Sequence, residues 1–103
     1  MAMCTPMESR SLVIKNASGM HARPAEMFAR TAMRFQSQVE LVHLGHRVDG
    51  KSILHILTLG AAEGTELLLE VRGADAREAI EALVQLVESD FADNGTWSQE
   101  QAG

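Results

Sequence analysis

Cysteine occurs once in this chain, at position 4. A single thiol can close no intramolecular disulfide and build no cysteine-based zinc site, so Cys4 reads as an incidental tail thiol. No apolar run approaches the ~20 residues of a membrane span, so no membrane insertion is expected. Met1 to Arg10 lacks a basic stretch followed by an apolar one, which argues against a secretory signal and for the cytoplasm. Basic residues are outnumbered: nine Lys and Arg face fourteen Asp and Glu, a formal charge of −5. That charge is spread along the chain, which argues against a nucleic-acid-binding module and leaves docking to basic protein surfaces open. A nucleotide-cradling Gly-rich loop and a carboxylate cluster for Mg²⁺ are also missing, as are internal repeats.

What is present describes one soluble domain. The chain has 103 residues, 46% of them apolar and 22% charged, the proportions of an ordinary globule. Residues 1–9 read as a flexible tail and 92–103 as another, with Trp97 as a loose contact; 10–91 form the domain. Arg10 to Lys15 alternates, with Leu12 and Ile14 facing one way, and predicts a strand. Ala22 to about Arg34 carries Ala25, Phe28, Ala29, Ala32 and Phe35 at helical spacing. Gln38 to His43 and His46 to Val48 predict two strands joined at Leu44-Gly45. Ser52 can cap a short helix over Ile53 to Leu59, with Gly60 ending it. Thr65 to Val71 alternates Leu67, Leu69 and Val71 with Glu66, Leu68 and Glu70. Asp75 and Glu78 form a capping pair for a last helix whose stripe is Ala76, Ala79, Ile80, Leu83, Leu86 and Val87. The order is β-α-β-β-α-β-α. A single antiparallel sheet covered on one face by helices would bury these stripes. Pattern alone does not separate that layout from a ferredoxin-like domain with an extra helix.

The chemistry concentrates in Ser18-Gly19-Met20-His21-Ala22-Arg23-Pro24-Ala25. Pro24 suits a first helical turn, where a missing N–H costs no intrahelical bond. His21 then falls at or just before the helix N-terminus, where unpaired amides and the macrodipole favour an anion. Arg23 adds a planar fork of donors matched to phosphate oxygens. An imidazole with a free lone pair in that place can attack a phosphoryl group, and the anion formed lies among donors. Ser18, Gly19 and Ala22 are small and leave the backbone open to a partner. A histidine here can also be a plain cap, and Arg23 a solvated side chain. A cation in a first helical turn opposes the dipole, however, which points to a functional reason for Arg23.

This octapeptide resembles the active-site loop of the histidine-containing phosphocarrier family, HPr, of the phosphoenolpyruvate-dependent sugar phosphotransferase system. The match there is Gly19-Met20-His21-Ala22-Arg23-Pro24-Ala25. Gly50-Lys51-Ser52-Ile53-Leu54, with Leu57-Thr58-Leu59-Gly60, resembles the same family's regulatory-serine helix at the family's separation. The likeness runs from about Arg10 to about Ser89. It implies an open-faced β-sandwich, an α+β fold with a four-stranded antiparallel sheet of order 1-4-2-3 and three helices on one face. It implies that His21 accepts a phosphoryl group, on Nδ1, from an enzyme I type phosphotransferase and passes it to downstream permease domains. Arg23 would stabilise the transferring charge. Ser52 is either a plain N-cap or also the target of a serine kinase/phosphorylase. Met20, Ile53 and Leu54 would form an apolar docking patch, and His55 would tune partner choice. The chain would be a monomeric carrier, acted on by enzymes without being one, and needing no cofactor.

His43, His46 and His55 make no metal motif by spacing, since no acidic residue or fourth ligand is placed with them; His43 and His46 read as exposed strand ends. Glu66 and Glu70 read as solvated on a strand face. Three other functions fit parts of the pattern: a same-fold regulator or nitrogen-branch carrier signalling to kinases or transcription regulators, a small-molecule-sensing α+β domain, and an enzyme with a histidine base. The sensing domain would be stabilised by its ligand and hold no acid-labile phosphate, and the enzyme lacks a carboxylate partner for His21.

Overall fold

A computed structural model describes residues 6–15, 19–89 and 91. Its elements are β1 (Met7–Val13), α1 (Ala22–Met33), β2 (Gln38–His43), β3 (His46–Asp49), α2 (Ile53–Leu57), β4 (Glu66–Arg72) and α3 (Ala76–Glu88). The strands form one sheet of order β1-β4-β2-β3, and every neighbouring pair is antiparallel. With β4 inserted between β1 and β2, the open-faced sandwich is decided over the ferredoxin-like layout.

Alternation builds the covered face of the sheet. Leu12, Val39, Leu41, Val48, Leu67, Leu69 and Val71 are buried, and the register sets Leu12 opposite Leu67, Leu41 opposite Leu69 and Val39 opposite Val71. The helices cover this face with their own stripes: Pro24, Ala25, Phe28, Ala29 and Ala32 from α1, Ile56 from α2. Full burial of one such large side chain contributes about 1.5–3 kcal/mol. On the uncovered face Glu40 and Glu70 are direct cross-strand partners. Arg47 bridges them, donating at 2.7 Å to Glu40 and 2.5 Å to Glu70, which offsets the repulsion of two like charges set opposite one another.

Several expected boundaries move. β1 begins at Met7, so Met7, Glu8 and Ser9 are strand and not tail. They pair with Arg72, Val71 and Glu70, and Gly73 N donates to Pro6 O at 2.9 Å. Main-chain pairing to β4 carries these residues, and it needs no apolar alternation. β3 runs on to Asp49, and β4 lies one residue later than its alternation suggested. α2 stops at Leu57; Thr58, Leu59 and Gly60 tighten into a turn whose amides donate three residues back, to His55, Ile56 and Leu57. In α3, Val84 takes the buried place expected of Leu86. Val84 stands four residues after Ile80 and three before Val87, nearer the stripe's centre, and Leu86 packs half-buried at its edge.

Asp75 corrects a second expectation. It is the N-cap residue of α3, but its side chain makes no cap hydrogen bond. The carboxylate instead accepts from Gln36 N at 2.9 Å, Ser37 N at 2.9 Å and Ser37 Oγ at 2.5 Å. These bonds tie the turn between α1 and β2 to the start of α3. The Ser37 hydroxyl, followed by the Gln36 amide, holds the carboxyl below the usual aspartate range. Cys4, Ser18, Trp97 and the segment 92–103 lie outside the described residues.

Candidate functional site: the N-terminus of the first helix

His21 is the N-cap residue of α1, with φ −92° and ψ −165°, and its side chain makes no cap hydrogen bond. The imidazole is exposed, so a capping role does not account for it. Its carbonyl accepts from Ala25 N at 3.0 Å, and its amide donates to Gly19 O at 3.0 Å. Main-chain bonds on both sides thus fix the residue while the ring stays in solvent. The amides of Ala22 and Arg23 open the helix without a partner among the described residues, and Pro24 brings no amide. Pro24 is buried, and anchors the first turn to the core. Arg23 is exposed two residues after His21 and has no carboxylate partner among the described residues. An exposed imidazole, two helix-opening amides and an unpaired guanidinium therefore share one turn, a setting suited to an incoming anion such as a phosphoryl group.

The loop after α2 holds this turn in place. Met20 N donates to Ala61 O at 2.8 Å. Gly19 has φ +74°, and a Cβ there would stand 2.5 Å from Ala61 O and 2.9 Å from Ala62 Cα. Only glycine permits both that dihedral and that approach. Ala61 is buried and carries no chemistry of its own; nothing in its residue type marks it as the anchor of the turn at His21.

The expected docking patch divides. Met20 is 4% exposed and belongs to the core, so it does not line the surface. The bond to Ala61 turns its side chain inward with the chain. Leu54, at 74%, and Ile53, at 38%, are exposed, because the one-sided packing of a five-residue helix is satisfied by Ile56, with Leu57 half-buried. His55 is exposed between them and the end of the helix. Ser52 is the N-cap of α2: its side chain accepts from His55 N at 3.2 Å. Gly19, Met20, His21, Ala22, Arg23 and Pro24 are thus brought together, with Ser52 to His55 on a separate short helix whose exit loop braces the first turn.

A small open-faced β-sandwich that presents one unengaged histidine at a helix N-terminus has the architecture of a phosphoryl carrier. Comparison with known proteins gives the same class. The profile described as PTS HPr component phosphorylation site matches residues 8–89. The phosphocarrier protein HPr of Neisseria meningitidis is 41% identical over 87 residues, covering 84% of this chain and 98% of that protein. Among solved structures, an HPr from Thermoanaerobacter tengcongensis superposes with a TM-score of 0.80 at 42% identity, covering 84% of this chain and 97% of the other. The HPr of Bacillus anthracis gives 0.75 at 33% identity, covering 79% and 96%. The chain belongs to the HPr family of phosphocarriers of the phosphotransferase system.

Proposed function

We propose that His21 is the phosphoryl-carrying residue, charged by a phosphoenolpyruvate-dependent phosphotransferase of the enzyme I type and discharged onto a histidine or cysteine of a downstream permease domain. The observation that carries this is the exposed imidazole at the α1 N-cap that caps nothing. In the charging step a ring-nitrogen lone pair of His21 attacks phosphorus. The nitrogen–phosphorus bond forms as the bond from phosphorus to the donor atom breaks. Discharge is the reverse on a new acceptor. The amides of Ala22 and Arg23 and the Arg23 guanidinium would receive the charged oxygens, in a reaction that is largely positioning and electrostatics. The chain acts as a monomeric cytoplasmic carrier, the substrate and donor of enzymes, with Ile53, Leu54 and His55 meeting the partner.

Ser52 is proposed as a second, regulatory phosphorylation site. Its Oγ already faces the opening of α2, where the added −1.5 to −2 charges of a phosphoryl group are tolerated locally. The same charge beside Ile53 and Leu54 would impede a partner that docks there.

Incubation with phosphoenolpyruvate and enzyme I tests the reading. Wild type is expected to acquire an acid-labile, base-stable phosphate and His21→Ala none. Arg23→Ala is expected to keep the site and lose at least about tenfold in transfer rate, or about 1.4 kcal/mol in the barrier. A folded wild type that takes up no label would overturn the sugar-system assignment.

A further inference from the structure

The β2–β3 hairpin carries chemistry that phosphoryl transfer does not use. His43 closes β2, His46 opens β3, and the two are direct cross-strand partners. Leu44 and Gly45 between them have φ of +51° and +84°, the left-handed pair of a two-residue hairpin loop that holds its flanking residues in register. Directly opposed residues point to one face with Cβ atoms about 4.5–5.5 Å apart, so two imidazoles there can converge on one ion. His43 is further oriented: its Nδ1 lies 3.4 Å from the Glu66 carbonyl oxygen. A carbonyl only accepts, so Nδ1 carries the proton and Nε2 keeps its lone pair. Metal-ligating histidines are commonly held in this way, by a carbonyl on the nitrogen that does not bind. The His46 side chain is exposed and makes no hydrogen bond or ion pair among the described residues. No group of three or more His, Cys, Asp or Glu is clustered for a metal among the described residues. What the register adds is a pair.

We propose that His43 and His46 form a two-imidazole chelate for a divalent transition-metal ion, with the remaining coordination positions open to water or to a ligand from another molecule. Imidazole ligation and the general affinity order of divalent metals put Cu(II) first, with Ni(II) and Zn(II) weaker. The second imidazole acts at high effective concentration once the first is bound, which lone His21 and His55 cannot reproduce. The folded hairpin holds the two rings in register, whereas the unfolded chain keeps them near one another only loosely. The ion therefore binds the folded state more tightly and stabilises it by that difference.

Cu(II) titration of the Cys4→Ser protein, which removes the one thiol copper would oxidise, tests this by NMR line broadening and by thermal unfolding. The first equivalent is expected to broaden signals of residues 42–47 before any others and to raise the melting temperature. His43→Ala or His46→Asn is expected to weaken binding at least about tenfold, and His55→Ala to leave it unchanged. Circular dichroism of each variant establishes that it is folded. Broadening spread evenly over all four histidines, broadening centred on His21, or unchanged affinity in a folded His46→Asn protein would overturn the chelate.

Discussion

Replacing Gly19 by alanine probes how the fold holds the active turn. Two penalties are expected. The first is conformational: at φ +74° an L-residue costs about 1–2 kcal/mol relative to glycine. The second is steric, since the new Cβ would meet Ala61 O at 2.5 Å and Ala62 Cα at 2.9 Å. Both atoms are backbone, so no side chain can swing aside. Overpacking of this kind adds about 1–3 kcal/mol. Gly60→Ala separates the terms, because Gly60 has φ +59° and open space where a Cβ would go; it should suffer the first penalty alone. Gly19→Ala should therefore lose about 2–5 kcal/mol, and Gly60→Ala about 1–2. In a domain of this size each kcal/mol lowers the melting temperature by roughly 4–8 °C. The Met20 N–Ala61 O bond should open first, so amide exchange at Met20 should accelerate, and charging of His21 by enzyme I should slow more than stability alone explains. Thermal unfolding, hydrogen exchange and the phosphoryl-transfer assay read the three effects. Equal melting temperatures for the two variants, with normal transfer in Gly19→Ala, would refute the claim that the α2 exit loop positions His21.

Leu54→Ala should change stability by less than about 0.5 kcal/mol, since the side chain is exposed, and should raise the concentration of carrier needed for half-maximal enzyme I turnover; unchanged kinetics would remove Leu54 from the docking surface. Ser52→Ala removes the α2 cap and should cost about 0.5–2 kcal/mol in chemical denaturation. The Asp75 carboxyl is held below its usual range by the Ser37 hydroxyl and the Gln36 amide, so its contribution to stability is present above the unfolded-state value of about 4 and is lost as pH falls through the folded one. Wild type should therefore exceed Asp75→Asn in stability at neutral pH, with the difference shrinking as acid unfolding curves pass below about pH 4; a gap independent of pH would show that the carboxylate's charge is not what matters.

The histidine at a helix start, the α1 stripe from Ala25 to Ala32 and the Ser52 cap were all legible from sequence, whereas Phe35, read as part of that stripe, lies past the end of the helix. Each depends on residues within a turn or two of one another, where period and capping chemistry operate. The same holds for β4, whose alternating leucines imply one buried face whatever lies opposite. Met20 was not legible. It lies among small, solvent-suited residues, and only the bond from its amide to Ala61, forty-one positions along the chain, turns it into the core. Asp75 read as a cap from its spacing to Glu78, yet its carboxylate serves amides at 36 and 37.

By itself, then, the sequence determined the local vocabulary: which segments are strand or helix, which faces are apolar, and which histidine stands at a helix N-terminus beside an arginine. Periodicity and capping are short-range effects, and a side chain carries them in its own shape and polarity. The sheet order, open by pattern alone, followed the family resemblance, and tertiary structure alone decided the pairing of Met7 to Ser9 with β4, the inward turn of Met20 and the reassignment of Asp75. Each of these is settled by main-chain hydrogen bonds or by carboxylate–amide bonds between distant segments. Every residue but proline offers the same N–H and C=O to such pairing, so residue type leaves no mark of which partner is chosen.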